Sequence, residues 1–572
     1  MFFFSLRLYI FFWCWVVVLI VLFFRTLLIF HLLRDAVIFF SVDIFSIPSL
    51  SLSPRVYSDC WSRSFSGVVC LISLVVFLFS RFYFTSYDKI VYFMWLTFLF
   101  LASILVLINF SDIFFVMLGW DGLGVVSYLL ILFYQSPGRI FSASFTLIIN
   151  RVGDCLFVAL IIVLFYLHPQ RTFLFRDIHS KDQILPFLMV AAFITKRALF
   201  PFSPWLPVAM AAPTPISSLV HSSTLVTAGL YLIIRNFSYL SYQQEVLNLL
   251  LIVGGFTSLY AGLSSVVEVD LKKVVALSTL RHLGFICFAL GLGWSNLAFF
   301  HLLSHAFFKS RLFMAIGGYI RAFRHYQDSR VFSSLFLTNP YFSFVALISE
   351  FNLLGLPFLR GFYSKDLVLE SIASHPASAF ILTLAYINVI LTFTYRFRIL
   401  YSVISSSKLP VFNTPHCPPP SYILLLSLLS LFSILFGVYF TTVLPPPLFW
   451  VPSVLKLTPI VLVLLCGFTF LILIYSSFNT LRVKMLVLQS LSRMFSMGSL
   501  WGSLSSKGFL MSSQSRMRSV ESGLLLSSVV GFRSALVRYT STLISYPLLW
   551  SFQFSILYIC IIFLVYIVLA GV

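Results

Sequence analysis

Apolar runs of about 20 residues, the length that crosses a bilayer as a helix, follow one another along almost the whole chain. Hydrocarbon offers no partner to a backbone N–H or C=O, so only helices and closed barrels span it. The apolar residues run continuously instead of alternating, which argues for helices over a barrel. Composition agrees: 60% of the 572 residues are hydrophobic and 9% are charged. A soluble domain carries about 25% charged residues; here the mean hydropathy is +1.03. The expected fold is an all-α polytopic membrane protein, with room for about 15 or more helices if the loops are short.

The formal net charge of +20 does not point to nucleic acid. The basic residues gather at span ends and in one C-terminal segment, with no compact basic module. Contact with anionic lipid headgroups accounts for them. The eight cysteines include no C-x-x-C pair and fall mostly in apolar runs, against a disulfide framework or an iron–sulfur site. No Gly-rich nucleotide loop occurs, so any nucleotide chemistry falls to a partner. The first ~33 residues outrun a signal peptide, lack a small-residue cleavage site and read as retained helices.

Apolar segments fall at about 8–33, 64–85, 89–110, 112–134, 141–167, 184–235, 247–264, 272–293, 296–319, 341–370, 376–403, 421–442 and 455–476. They group as N-terminal helices over 1–110, two blocks over 111–240 and 241–405, and additional spans over 406–477. Residues 478–549 differ, being rich in serine, with eight basic residues against the single acid Glu521. Their Leu, Met and Phe content predicts an interfacial amphipathic helix. A last span closes the chain over 550–572.

Two interruptions stand out, T-K-R-A-L-F-P-F-S-P-W-L-P from Thr195 to Pro207 and G-L-P-F-L-R-G-F-Y-S-K-D from Gly355 to Asp366. Each sets Gly or Pro and a lysine inside a membrane-length segment. Proline frees backbone groups that hydrocarbon cannot satisfy, so such breaks persist beside protein or a water-filled cavity. An ordinary proline kink explains one break. A pair of lysine-bearing breaks in corresponding halves points to an inverted-repeat transporter.

Ionisable residues inside spans cost several kcal/mol unless paired or hydrated, so each is a functional candidate. Asp121 lies in M-L-G-W-D-G-L-G, and Arg151 and Asp154 in N-R-V-G-D, three apart on one helix face. Lys196 precedes the first break and His221 follows it. Lys272 and Lys273 come next. His301, His305 and Lys309, in H-L-L-S-H-A-F-F-K, form one stripe at spacing i, i+4, i+8. Lys365, Asp366 and Glu370 complete the set at the second break. A carboxylate whose distance from a buried lysine changes alters that lysine's proton affinity, and histidine serves as a relay; this is the chemistry of proton transfer. Blander readings stand beside it. His301 and His305 could bind zinc, though no third ligand is evident. Lys272 or Lys273 could mark a helix end, Arg151–Asp154 could be a structural pair, and Asp121 could cap a broken helix.

These motifs carry a resemblance. P-F-S-P-W-L-P-V-A-M-A-A-P-T-P-I-S-S-L-V-H-S-S-T-L-V-T-A-G, from Pro201 to Gly229, is the clearest match, with G-W-D-G-L-G, N-R-V-G-D, D-L-K-K-V-V-A-L-S-T-L, H-L-L-S-H-A-F-F-K and G-F-Y-S-K-D in the expected order. The chain resembles the antiporter-like subunits of respiratory NADH:ubiquinone oxidoreductase, complex I, which share a fold with Mrp-type sodium/proton antiporters. The resemblance implies two inverted five-helix repeats over 111–240 and 241–405, a long lateral helix, a final anchoring helix, and a place in the mitochondrial inner membrane beside a neighbouring antiporter-like subunit and lipid. NADH, flavin, iron–sulfur clusters and ubiquinone would then belong to partner subunits, with no cofactor or metal on this chain. It also implies roles. Lys196 is the first-repeat lysine, Asp154 the acid that modulates it, and Asp121 the neighbouring acid, often Glu in this family. His221, His301, His305 and Lys309 form the central axis, and Lys365 is the second-repeat lysine. Asp121 is one methylene shorter than Glu, which leaves its direct contact with Lys196 in question. The alternatives are a free-standing cation/proton antiporter of the same fold and a structural scaffold whose buried charges are dispensable.

Four arginines fit badly. Arg197, Arg281, Arg311 and Arg360 fall in or beside these motifs, where the family carries small or apolar residues. One expectation is pairing with Asp121, Glu350, Asp366 or lipid phosphate. The other is that these positions are serines, because invertebrate mitochondria read AGA and AGG as serine where the standard code writes arginine.

Overall fold

In a bilayer an apolar segment is best served by closing every backbone hydrogen bond within itself, and this chain does so in long helices. The computed structural model describes residues 59–84, 87–167, 184–323, 326–329, 339–356, 359–374 and 379–404, with short pieces between 16 and 58 and scattered positions beyond 404. The chain divides into two compact units, Met1–Gly498 and Ser499–Val572, and the helices and strands between Ile38 and Ile404 belong to the first. The helices expected over 478–549 and 550–572 lie almost wholly outside the described residues, as do most of those expected over 1–33 and 406–477.

Helices α1 (Cys60–Tyr83), α2 (Tyr87–Asn109), α3 (Ile113–Ile131) and α4 (Pro137–Leu167) come first. Asp59 starts α1 with a capping box: its carboxylate accepts from Ser62 N at 3.0 Å while Ser62 Oγ accepts from Asp59 N at 2.9 Å. The same carboxylate pairs with Arg235 NH1 at 2.8 Å and so ties the start of α1 to a helix end 176 residues on. Ahead of α1 the structure adds what the all-α reading did not contain: two short antiparallel ladders, β1 (Ile38–Ser41) with β4 (Arg55–Ser58) and β2 (Phe45–Ile47) with β3 (Leu50–Leu52). The sequence there alternates apolar residues with serine and is broken by Pro48 and Pro54, a period-2 pattern that suits hairpins.

The middle of the chain holds α5 (Ile184–Lys196), α6 (Trp205–Ala209), α7 (Thr214–Leu219), α8 (Leu225–Arg235), α9 (Phe237–Leu240), α10 (Gln244–Val267), α11 (Leu271–Gly291) and α12 (Ser295–Ala322). Helices α13 (Pro340–Leu354), α14 (Leu367–Ser374) and α15 (Ala379–Ile404) come last. Among the described residues, eight helical stretches are long and apolar enough to cross a membrane. They form two shells. The stretch Thr214–Arg235 and helix α11 are buried along almost their whole length. Helices α2, α4 and α15 bury only part of their surface, leaving Trp95, Leu99, Ile148 and Phe380 exposed, as a lipid-facing or partner-facing side requires. Helix α12 is not one of the eight. It carries His301, His305, Lys309 and Arg311, and protein surrounds it almost completely. Helices α11 and α12 pack on each other at the centre of the inner shell.

Both interruptions are built. Helix α5 stops at Lys196, and its Thr195 carbonyl accepts from Ala198 N at 3.3 Å and from Trp205 Nε1 at 3.0 Å. Between α7 and α8 the turn Val220–Thr224 widens into a π-helix that carries His221. At the second break α13 ends on Gly355, whose φ of +83° favours glycine. The chain then re-enters a helix through a second π turn, Phe362–Asp366, which carries Lys365. Single π turns re-aim side chains and collect at functional sites. Here one such turn follows the first break and carries His221, and the other lies within the second break and carries Lys365.

Candidate functional site

The first cluster joins three helices. Asp121 on α3, Arg151 and Asp154 on α4, and Lys196 at the end of α5 come together in a chain of charges. Arg151 NH1 lies 2.7 Å from Asp121 Oδ1 and 3.3 Å from Asp154 Oδ2, and Asp154 Oδ1 lies 3.5 Å from Lys196 Nζ. Side-chain exposure falls along it, from 41% at Asp121 and Arg151 through 8% at Asp154 to 0% at Lys196. The ammonium also donates to the Trp120 carbonyl and sits 4.1 Å from the centre of the Trp120 ring, a cation–π contact. Among the described residues Asp121 makes no ion pair with Lys196; it meets Arg151, which also meets the Asp154 carboxylate beside the lysine.

Between the clusters, Lys272 is buried and donates to the Ala212 carbonyl beside the first break. Lys273, one residue on, is half-buried and pairs with Asp270 at 2.7 Å. The two adjacent lysines thus sit in different settings. His221 is buried near the Trp205 ring, with no hydrogen-bond partner on either ring nitrogen among the described residues.

The second cluster is built differently. Lys309 Nζ donates to Ser278 Oγ on α11. His301 Nδ1 lies 3.0 Å from Ser364 Oγ, to which Ser304 Oγ donates at 3.1 Å. Lys365 Nζ faces the Leu354 carbonyl and Thr392 Oγ1, both at 3.4 Å. Among the described residues neither Lys309 nor Lys365 meets a carboxylate at ion-pair distance. His305 lies on the same stripe, its ring nitrogens without hydrogen-bond partners among the described residues. Asp366 lies against the backbone at Gly355, where a Cβ would stand 3.3 Å from its Oδ1, and Glu370 comes next on α14.

Sequence reasoning missed His282. It lies on α11 with its Nδ1 3.3 Å from His301 Nε2 and its Nε2 2.8 Å from Arg396 NH2. It obeys the rule that picked out the others, an ionisable residue inside an apolar span. Its partners lie on other helices, which spacing along one helix cannot show. Among the described residues no three His, Cys, Asp or Glu side chains gather as a metal-holding group.

All four awkward arginines are fully buried. Arg197 NH1 reaches Cys287 Sγ at 3.2 Å, and Arg281 lies beside Tyr395, with the ring centre 5.8 Å away. Arg360 lies 4.7 Å from the centre of the Phe307 ring. Among the described residues neither Arg197 nor Arg281 pairs with Asp121, Glu350 or Asp366.

Helices broken inside the membrane, a buried lysine paired with a carboxylate and a second line of buried lysines and histidines define a class, the antiporter-like membrane proteins. Residues 110–392 match the family described as NADH:quinone oxidoreductase/Mrp antiporter, transmembrane region. The chain is 40% identical over 376 residues to NADH-ubiquinone oxidoreductase chain 5 of Anopheles gambiae, a match spanning 65% of this chain and 64% of that one. It is 40% identical over 364 residues to the protein of the same name from Anopheles arabiensis, spanning 63% of this chain and 91% of that one. The chain belongs to the NADH-ubiquinone oxidoreductase chain 5 family. Its fold is also that of a chain in the Mrp complex from Dietzia sp. DQ12-45-1b, with a TM-score of 0.73 at 23% identity over 92% of this chain and 60% of that one.

Proposed function

We propose that the chain is a membrane-arm subunit of respiratory complex I in the mitochondrial inner membrane, moving protons while partner subunits oxidise NADH and reduce ubiquinone. Lys196 carries this reading. A fully buried ammonium whose one carboxylate partner is itself shared with an arginine is held by a balance that a small displacement upsets. Moving Asp154 between Arg151 and Lys196 changes the lysine's hold on its proton, which is the elementary step of a pump. In this reading Asp121 and Arg151 set the position of Asp154. His221, His301, His305 and Lys309 carry protons along the middle, with Lys365 at the exit of the second half. Lys272, Lys273, Asp366 and Glu370 support them. The two lysine-bearing breaks, Thr195–Pro207 and Gly355–Asp366, mark corresponding places in inverted repeats over 111–240 and 241–405. Flavin, iron–sulfur clusters and the quinone site belong to partners, among them a neighbouring antiporter-like subunit, and lipid covers the outer faces.

The fold shared with the Mrp chain favours a second reading, a free-standing cation/proton antiporter. Purification from detergent-solubilised membranes separates the two. Co-migration with NADH dehydrogenase activity is expected. Migration apart from it, with sodium/proton exchange retained on reconstitution, would overturn the complex I reading.

A further inference from the structure

Resting on that proton-pathway reading, we infer that His282 is a further relay residue, joining the His305–Lys309 part of the stripe to His301 and Ser364, and that Arg396 gates it. His301 and His305 stand one turn apart on α12 and no hydrogen bond joins them. Across from the gap, α11 supplies the His282 ring, its centre 5.5 Å from that of His301 and 5.8 Å from that of His305. One turn earlier on α11, Ser278 accepts from Lys309. The link between the two parts of the stripe is thus on the neighbouring helix.

Arginine donates and never accepts. His282 Nε2, 2.8 Å from Arg396 NH2, therefore accepts, and the ring hydrogen is on Nδ1. That N–H donates to His301 Nε2 at 3.3 Å, so the His301 hydrogen is on Nδ1 and donates to Ser364 Oγ at 3.0 Å. The donor direction along Arg396, His282, His301 and Ser364 is fixed throughout by its arginine end.

The same bond holds the relay closed. His282 can release its Nδ1 proton only by accepting another at Nε2, where Arg396 sits. The balanced step is this: Arg396 leaves Nε2, a proton enters there, and the Nδ1 proton passes to His301 Nε2. His282 is then neutral with its hydrogen on Nε2, and His301 carries the added proton. Arg396 has somewhere to go. Its NH1 already reaches the Glu350 carbonyl at 3.3 Å, and Glu350 Oε2 is buried without a hydrogen-bond partner among the described residues.

The test is NADH-driven proton pumping by the assembled complex carrying His282→Gln, His282→Phe or Lys365→Ala, with rates referred to the amount of assembled complex. Gln keeps hydrogen bonding without titrating, and Phe keeps ring volume without either. Both histidine variants are expected to pump about tenfold or more slowly. The pH profile of pumping is expected to change shape, because a relay ring takes up and gives up a proton in each turnover and neither replacement can. A His282→Gln complex with parental rate and profile beside an impaired Lys365→Ala complex would overturn the relay and leave the proposed function standing. Normal pumping by Lys365→Ala would count against the pathway reading itself, and with it this inference.

Discussion

The two halves of the described core hold their lysines by different means. In the first, Lys196 is bound by charge, with Asp154 at 3.5 Å and Arg151 and Asp121 behind it. In the second, Lys309 and Lys365 are bound by a serine, a threonine and a backbone carbonyl. Charge inside a membrane is strong and long-ranged; neutral hydrogen bonds are weaker and act only at contact. The first half is therefore suited to being switched by a moving charge. The second is suited to handing a proton along a fixed line of rings and hydroxyls.

Breaking the charged half should cost most. Asp154→Asn leaves the Lys196 ammonium buried with no carboxylate, and removing one partner of a buried pair costs about 3–5 kcal/mol. The expected result is loss of pumping together with a lower thermal stability of the assembled complex, read by activity after graded heating. Breaking the neutral half should cost less. Ser364→Ala strands the His301 ring donor, a penalty of about 1–3 kcal/mol for one buried group, while Ser304 keeps the His301 carbonyl as acceptor at 2.8 Å. A slower pump with near-normal heat resistance is expected. A Ser364→Ala complex that loses as much stability as Asp154→Asn would erase the contrast.

The arginines divide in the same way. Arg151, Arg235 and Arg396 each find oxygen or nitrogen acceptors, whereas Arg197 and Arg281 are buried beside a thiol and a tyrosine. Two large cations so placed are poor neighbours for the lysines and histidines of either half. Peptide sequencing of the mature protein by mass spectrometry is expected to read serine at both positions. Arginine at both, with parental stability lost in Arg197→Ser, would contradict this.

Much of this architecture was legible in the sequence because apolar length alone sets a span. The run at 89–110 became Lys89–Asn109, that at 112–134 became Ile113–Ile131, and that at 296–319 became Ser295–Ala322. Both breaks fell where their prolines and glycines put them. What stayed hidden depends on neighbours in space. Spacing showed that Arg151 can meet Asp154 on one helix, and it could not show that Arg151 also reaches Asp121 on another. It showed the stripe on α12 and not His282 facing it from α11. The π turns at His221 and Lys365 were equally hidden, since one extra residue in a turn leaves no compositional mark.

The proposed function stands or falls on whether the first-half lysine moves protons or merely sits in the fold. Lys196→Ala tests this, because Asp154 keeps Arg151 as a partner and the helices keep their packing. NADH-driven proton pumping and NADH oxidation are measured side by side on the assembled complex. The expected result is a complex that assembles to near-parental amount and pumps about tenfold or more slowly. A fully assembled Lys196→Ala complex that pumps at the parental rate would contradict it.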